Sequence, residues 1–417
     1  MKKLITGLVV LMLSVPFHST AEDKIYRYAR IQALSGRSVG NDIYDANVSS
    51  PKSALFSLDG KKIYINALEG NQTLVYSFPD LKPMQVIDHK FNENDSDLFL
   101  NGETTVFGYS YLTTQRSRLN VFEGKPVEMA LSHQGRYLWI TYYRRSFDSN
   151  ATSPSAVAIV DTVSDKIVRI MPTGPLPKFV SVSKNSKYAA ITHWGDNTIG
   201  LIDISSQNPN DFKYVSHLVV ERKQDLHGVS GDRDNNCGYC LRGTVFTPDG
   251  NTILVARMGG GGVAGFDITT NRYLGTIKNV VGNPRHLLLD EASNYLYVSG
   301  NQSGLVGRYD LKGIINALYE ANGSLVEGPA GSVLPVGKGA RTIVMSPNKD
   351  KLYVAVNDEK KLVQIDLRKW SVEHSAEVDP FPVGLAISQD GKTVVTTSQG
   401  KKNMGGGQSV GFYKVQD

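Results

Sequence analysis

Cysteine is nearly absent: Cys237 and Cys240 are the two in 417 residues. That excludes a disulfide-stapled scaffold, and a chain this long buries ample core without one. A dominant charge sign is missing as well. The formal balance of +5 is too small to point by itself to nucleic acid or a membrane surface. Beyond the N-terminus no run approaches about 18 consecutive apolar residues, so no membrane-spanning helix is expected. Long amphipathic helical patterns are also lacking. Glycine (40) and tyrosine (20, against 14 phenylalanines) are plentiful instead, the composition of an all-β chain with many turns.

The first 21 residues, MKKLITGLVVLMLSVPFHSTA, have the three parts of a secretory signal. Lys2 and Lys3 form the positive region, Leu4 to Val15 the apolar region, and Ser19-Thr20-Ala21 the small residues before a cleavage point. No cysteine near that point offers a lipid anchor. The chain is therefore expected to be exported, periplasmic or secreted, with a mature part at 22–417. Cleavage removes two lysines and leaves 43 basic against 40 acidic side chains, a net +3.

The mature part repeats. PKSALFSLDGKKIYINAL from Pro51 aligns with PVEMALSHQGRYLWITYY from Pro126, PKFVSVSKNSKYAAITHW from Pro177 and LRGTVFTPDGNTILVARM from Leu241. PRHLLLDEASNYLYVSG from Pro284, ARTIVMSPNKDKLYVAVN from Ala340 and PVGLAISQDGKTVVTTSQ from Pro382 complete the set. Each reads as a short strand, a polar turn and a second strand. Turn centres such as Asp59-Gly60, Asp249-Gly250 and Asp390-Gly391 tolerate the positive φ that tight hairpins need. A third strand often ends in aspartate, as at Asp161, Asp203, Asp267, Asp310 and Asp366. A fourth fits several copies, for example RYLGTI after Asn271.

The closest copies start 42 or 43 residues apart, and a period of roughly 40–45 residues with four strands marks a propeller blade. Seven copies predict an all-β, seven-bladed β-propeller of four-stranded antiparallel blades. The last copy ends soon after its third strand, so KIYRYARIQAL (24–34) is expected to supply the missing strand and close the ring. Two stretches exceed the period. Residues 88–124 read as an extra hairpin or a displaced fourth strand of the first blade. Residues 313–337 read as an enlargement of the fifth, with one or two helical turns.

LYVSG, LYVAVN and IYINAL, with the SPDG-like turns and the strands ending in aspartate, resemble the YVTN-repeat propellers of exported bacterial and archaeal proteins. The resemblance covers nearly the whole mature chain and implies the fold. For function it implies a range: binding proteins, surface-layer and adhesion modules, lactonases and large subunits of redox enzymes.

In such propellers the innermost strand of each blade lines the central channel. The loops that enter it, and those joining second to third strands, open on the top face. The second residue of each copy then recurs around the channel mouth, as Lys52, Val127, Lys178, Arg242, Arg285, Arg341 and Val383. Five of these seven are basic, although lysine and arginine together make up 45 of 417 residues. Clustered cations in a concave site focus field on an acidic ligand, and arginine's planar fork suits carboxylate or phosphate. The alternative is that each long stem covers apolar rim surface with its head in water. The second loops bring Arg144, Arg145, His193, Trp194, Arg257 and Lys401-Lys402 to the same face, with Trp194 available to stack on a sugar or base.

The insertion ERKQDLHGVSGDRDNNCGYC (221–240) carries both cysteines. Leu241 follows Cys240, so the c-type haem attachment pattern fails for want of a histidine. In an exported protein the simplest outcome is a local disulfide between Cys237 and Cys240 that pins the loop. Metal binding with His227, Asp232 or Asp234, and thiol redox exchange, are the alternatives. No other cofactor is expected.

The leading expectation is a binding or scaffold module whose basic mouth takes an anionic ligand: an acidic glycan, a nucleic-acid strand or an acidic protein surface. A lactonase-like hydrolase is the alternative. Glu128, Arg242, Arg285, His286 and Arg341 fall where lactonases of this fold place carboxylate, arginine and histidine groups, with Glu128 or His286 then activating water. An accessory subunit that docks a redox or metal-handling partner through the Cys237 loop is a third reading.

Overall fold

A computed structural model describes residues 25–100, 102–108, 121–225, 230–290, 292, 294–400 and 407–415. The expected signal at 1–21, His227 and Lys401-Lys402 lie outside the described residues. Among the described residues no helix is long and apolar enough to cross a membrane.

Seven sheets of four or five strands surround one channel. Their inner strands, from blade one to blade seven, are Pro51–Phe56, Phe122–Ser132, Pro177–Val182, Leu241–Phe246, Pro284–Asp290, Ala340–Met345 and Pro382–Ile387. Each touches the inner strand of the next blade, and blade seven touches blade one, so the wheel is closed. The N-terminus performs the closure. Ile25–Gln32 lies antiparallel to Ser409–Val415, from Ile25 opposite Val415 to Gln32 opposite Ser409, and forms the fourth strand of blade seven. Without it the last blade would expose a row of unpaired backbone groups.

Alternation along each strand sends side chains to both faces of a blade, and a neighbouring blade covers each face. An apolar cluster therefore occupies each of the seven blade interfaces. Phe56, Ile63 and Leu74 of blade one meet Val395, Val410 and Phe412 of blade seven. Trp139 and Val157 of blade two meet Ile191 and Phe212 of blade three.

The two insertions do different things. After Pro83–Asp88, the outer strand of blade one, Lys90–Phe91 pairs with Phe122 and Glu123 at the head of blade two's inner strand. The first insertion thus extends blade two instead of displacing a strand of blade one. In the second, Leu311–Ala321 is an 11-residue helix, longer than the one or two turns expected. Asp310, which ends the third strand of blade five, caps it by accepting the Gly313 N–H at 2.6 Å. The helix packs across blade four. A Cβ on Gly265 of that blade would meet Leu318 at 2.6 Å, so glycine makes the seat.

The approach to each inner strand also repeats, and it sets up the site. Ser50, Leu176, Cys240, Asn283, Gly339 and Phe381 stand directly before six of the inner strands, and all have positive φ between 49° and 90°. Just beyond, pairing with the second strand slips. The shift falls at Lys52, Lys178, Arg285 and Val383, and in blades two, four and six at Val127-Glu128, Arg242-Gly243 and Arg341-Thr342. A bulge re-aims a side chain out of the regular pleat. Seven repeats of one irregularity thus place seven side chains at equivalent points of the wheel.

Candidate functional site at the channel mouth

A cavity of about 130 Å³ opens at the top of the channel. Arg242, Arg285, His286, Arg341 and Glu128 line it together, from blades four, five, six and two. Lys52 and Lys178 stand close enough to share one electrostatic field with these arginines. Val127 and Val383, both buried, leave the sectors of blades two and seven without a cation.

The cations are not equally compensated. Arg242 donates from Nη2 to Glu128 Oε1 at 2.7 Å and from Nη1 to the Lys178 carbonyl oxygen. Lys178 Nζ donates to Asp234 Oδ1, and lies 4.0 Å from the ring centre of Trp194 and 4.9 Å from that of Tyr143. Asp234 also accepts the Tyr143 hydroxyl at 2.6 Å, and Trp194 Nε1 donates to its backbone carbonyl at 3.1 Å. Lys52 has a neutral partner, Gln399 Oε1 at 3.4 Å.

Arg285 and Arg341 differ from the rest. The partner of Arg285 is the Met258 sulfur, 3.3 Å from Nη1. The Arg341 guanidinium lies 5.7 Å from the ring centre of Phe381, and its Nε is buried with no hydrogen-bond partner. Among the described residues neither has a carboxylate within ion-pair distance. Burial, then Arg341 and Arg242, pushes Arg285 well below its ordinary value, and burial with Arg242 pushes Arg341 down to about 9. Guanidinium groups keep their proton in proteins, so two like charges, one buried and one half-buried, adjoin at neutral pH with Glu128 acting on both only from beyond ion-pair distance.

His286 accepts the Ile343 N–H on Nδ1 at 3.0 Å. Burial, followed by the charges of Arg242 and Arg285, brings it down to about 3, so the ring is neutral. With Nδ1 occupied as an acceptor, the neutral ring carries its proton on Nε2. His286 then has an N–H donor to offer among the groups that line the cavity. Glu128 remains as the carboxylate of the cavity lining.

Several expected contacts are turned into the framework. His193 is fully buried; Nε2 accepts the Gly174 N–H at 3.0 Å, and Nδ1 is 2.8 Å from Thr198 Oγ1, which donates to Asp196. Arg257 is buried between Glu221 at 2.7 Å, Thr276 at 2.8 Å and the face of Tyr239. Arg144 donates to the Tyr143 hydroxyl and Asp232. Cys237 and Cys240 form a disulfide one residue before the inner strand of blade four. Among the described residues no group of three or more His, Cys, Asp or Glu is arranged to hold a metal.

Sequence reasoning missed Phe179, Ser53 and Thr342 of the lining. A signal existed. They stand one residue beyond the cation positions, in the same repeat column as Glu128 and His286.

The lysine titration has a consequence. Burial, then Arg242 and Arg285, pulls the Lys178 ammonium down to about 7 despite Asp234, against an ordinary value of 10.5. Between those values the unfolded chain binds the extra proton, so this group's contribution to stability rises with pH across that window. Lys178→Met is expected to flatten the rise in melting temperature between pH 7 and about 10. An unchanged slope contradicts this.

The sequence model of the family described as "Lactonase, 7-bladed beta-propeller" matches residues 124–404, more than half of the chain. No curated protein matches. Among solved structures, the chain is similar to Kuenenia stuttgartiensis hydrazine synthase, with TM-score 0.58 and 15% identity over 87% of this chain and 95% of that one. It is also similar to a chain of the mitotic checkpoint complex, with TM-score 0.58 and 13% identity over 99% and 100% of the two chains. At such identities the likenesses show the propeller fold alone.

Proposed function

Starting from the fact that this chain belongs to the lactonase seven-bladed β-propeller family, we propose that its channel mouth binds a small anionic ligand between Arg285 and Arg341. The observation that carries the reading is a pair of guanidinium groups without a carboxylate partner, Arg341 buried and Arg285 half-buried. A buried charge is costly unless paired, and a bound carboxylate or phosphate supplies the missing partner with charge-assisted hydrogen bonds. His286 Nε2–H adds a neutral donor beside them.

The cavity's size bears on the ligand. At about 130 Å³ it is close to the engineered cavity of about 150 Å³ that admits benzene. One small molecule, or one terminal acidic group of a glycan, nucleic-acid strand or protein, fits that space. Titration calorimetry of the full chain with small carboxylates and with inorganic phosphate is expected to show saturable binding at one site. Heats that never saturate contradict the reading.

Lactone hydrolysis is the second reading, favoured by the family and by Glu128 inside a ring of donors. Glu128 would orient and deprotonate a water that attacks the ring carbonyl, and Arg285, Arg341 and His286 would stabilise the oxyanion; as it collapses the ring C–O bond breaks and the leaving alkoxide takes the proton back from Glu128. The product is a hydroxy acid, an anion of the kind the arginine pair suits. The N-terminal signal pattern and the Cys237–Cys240 disulfide support a place outside the cytoplasm, periplasmic or secreted.

A further inference from the structure

The walls below the cation ring limit what kind of acid can enter. Six of the lining residues are Ala54, Leu55, Met129, Phe179, Val344 and Leu385, all apolar. Among the described residues two neutral hydroxyls line the cavity, and each already makes one framework hydrogen bond. Ser53 Oγ accepts from Asn66 Nδ2 at 3.1 Å, and Thr342 Oγ1 donates to the Val383 carbonyl oxygen at 2.7 Å. Among the described residues no Asn, Gln, Asp or Tyr lines the cavity. The carboxylate of Glu128 is held by Arg242.

A polyhydroxylated acid brings a hydroxyl on nearly every carbon. Each one buried needs a partner, and an unpaired buried hydroxyl is strongly disfavoured. Sites that take such molecules supply placed polar groups around the body of the ligand, not at one end alone. Here the charged groups stand at the mouth, while the throat offers methyl groups, a thioether and the edge of an aromatic ring. Phe179 and His286 meet edge to face, with ring centres 5.5 Å apart, and line the same cavity. An aromatic or branched body gains from contact with such a wall.

We infer that the acid taken at this mouth has a compact apolar or aromatic body, of the benzoate or branched short-chain type, and is not a polyhydroxylated sugar acid. The inference rests on the anion site proposed at Arg285 and Arg341. The carboxylate meets that pair and the Nε2–H of His286, and the body enters the throat against Phe179 and Leu385.

The test is a matched panel of monocarboxylates, namely benzoate, isovalerate, gluconate and glucuronate, titrated into the full chain by calorimetry at one pH and ionic strength. Charge is constant across the panel, so the arginine pair cannot rank it. Benzoate and isovalerate are expected to bind at least about tenfold more tightly than either sugar acid, a difference of about 1.4 kcal/mol. Phe179→Asn is expected to shrink that gap by weakening benzoate. Gluconate or glucuronate binding as tightly as benzoate overturns the inference and leaves the anion site standing. If none of the four acids binds, the inference falls; saturable binding of inorganic phosphate in the same buffer then leaves the anion site standing, and its absence refutes that site as well. The unmodified chain decides between these outcomes even if Phe179→Asn fails to fold.

Discussion

Arg285→Met combined with Arg341→Met is expected to weaken binding of a small carboxylate by about 10²–10⁴-fold, since a hydrogen bond to a charged group contributes about 1.5–3 kcal/mol and two such groups are removed. Methionine keeps the apolar length of each side chain, so the change acts on charge more than on packing. The variant carries a second, opposite expectation. Without added anions it should be more stable than the parent. Replacing buried charge by a well-packed apolar group is often stabilising by about 1–4 kcal/mol, and here two like charges disappear with no carboxylate left stranded. An added carboxylate should raise the melting temperature of the parent and leave that of the variant unmoved. Lys61→Met is the control, because Lys61 is exposed in the turn between the first two strands of blade one. A double variant that binds as the parent does, or that is much less stable than it, contradicts the assignment.

Glu128→Gln is expected to separate the two readings of the site. If the mouth hydrolyses lactones, loss of the base lowers turnover by about 10²–10⁴-fold. The amide oxygen of glutamine can still accept from Arg242, so the wall of the cavity keeps its shape. Affinity for a carboxylate should then hold or rise, because a negative charge has left the mouth. Turnover close to that of the parent means that another group activates water. A parent chain that hydrolyses no member of a broad lactone panel retires the hydrolytic reading and leaves binding as the role of the mouth.

The fold was legible because it is written seven times. The hairpin turns, the strands ending in aspartate and the early end of the last copy carry enough information to place the N-terminal strand Ile25–Gln32 beside Ser409–Val415. The column of mouth residues was legible for the same reason. What a repeat cannot express is which cations are neutralised, because their partners come from elsewhere in the chain. Asp234, which holds Lys178, and Glu221, which holds Arg257, belong to the insertion at 221–240 that carries the cysteines. The positive-φ approach to the inner strands was hidden as well. Ser50, Leu176, Cys240, Asn283 and Phe381 adopt it without being glycine, so composition gave no sign of it. His193 looked like a loop residue beside Trp194, yet the close of its strand buries it under Gly174. Helix Leu311–Ala321 is longer than its pattern suggested, and it seats on the glycine-bearing face of another blade, which the local sequence could not show.

Guanidinium groups from adjacent blades converge at one end of the channel without a carboxylate partner. A crystal grown in bromide tests it most directly through the anomalous signal of the ion. The account predicts a bromide peak between Arg285 and Arg341, in contact with both side chains and near Nε2 of His286. Bromide bound elsewhere on the molecule with none at the mouth, or the two guanidinium groups turned apart, would contradict it.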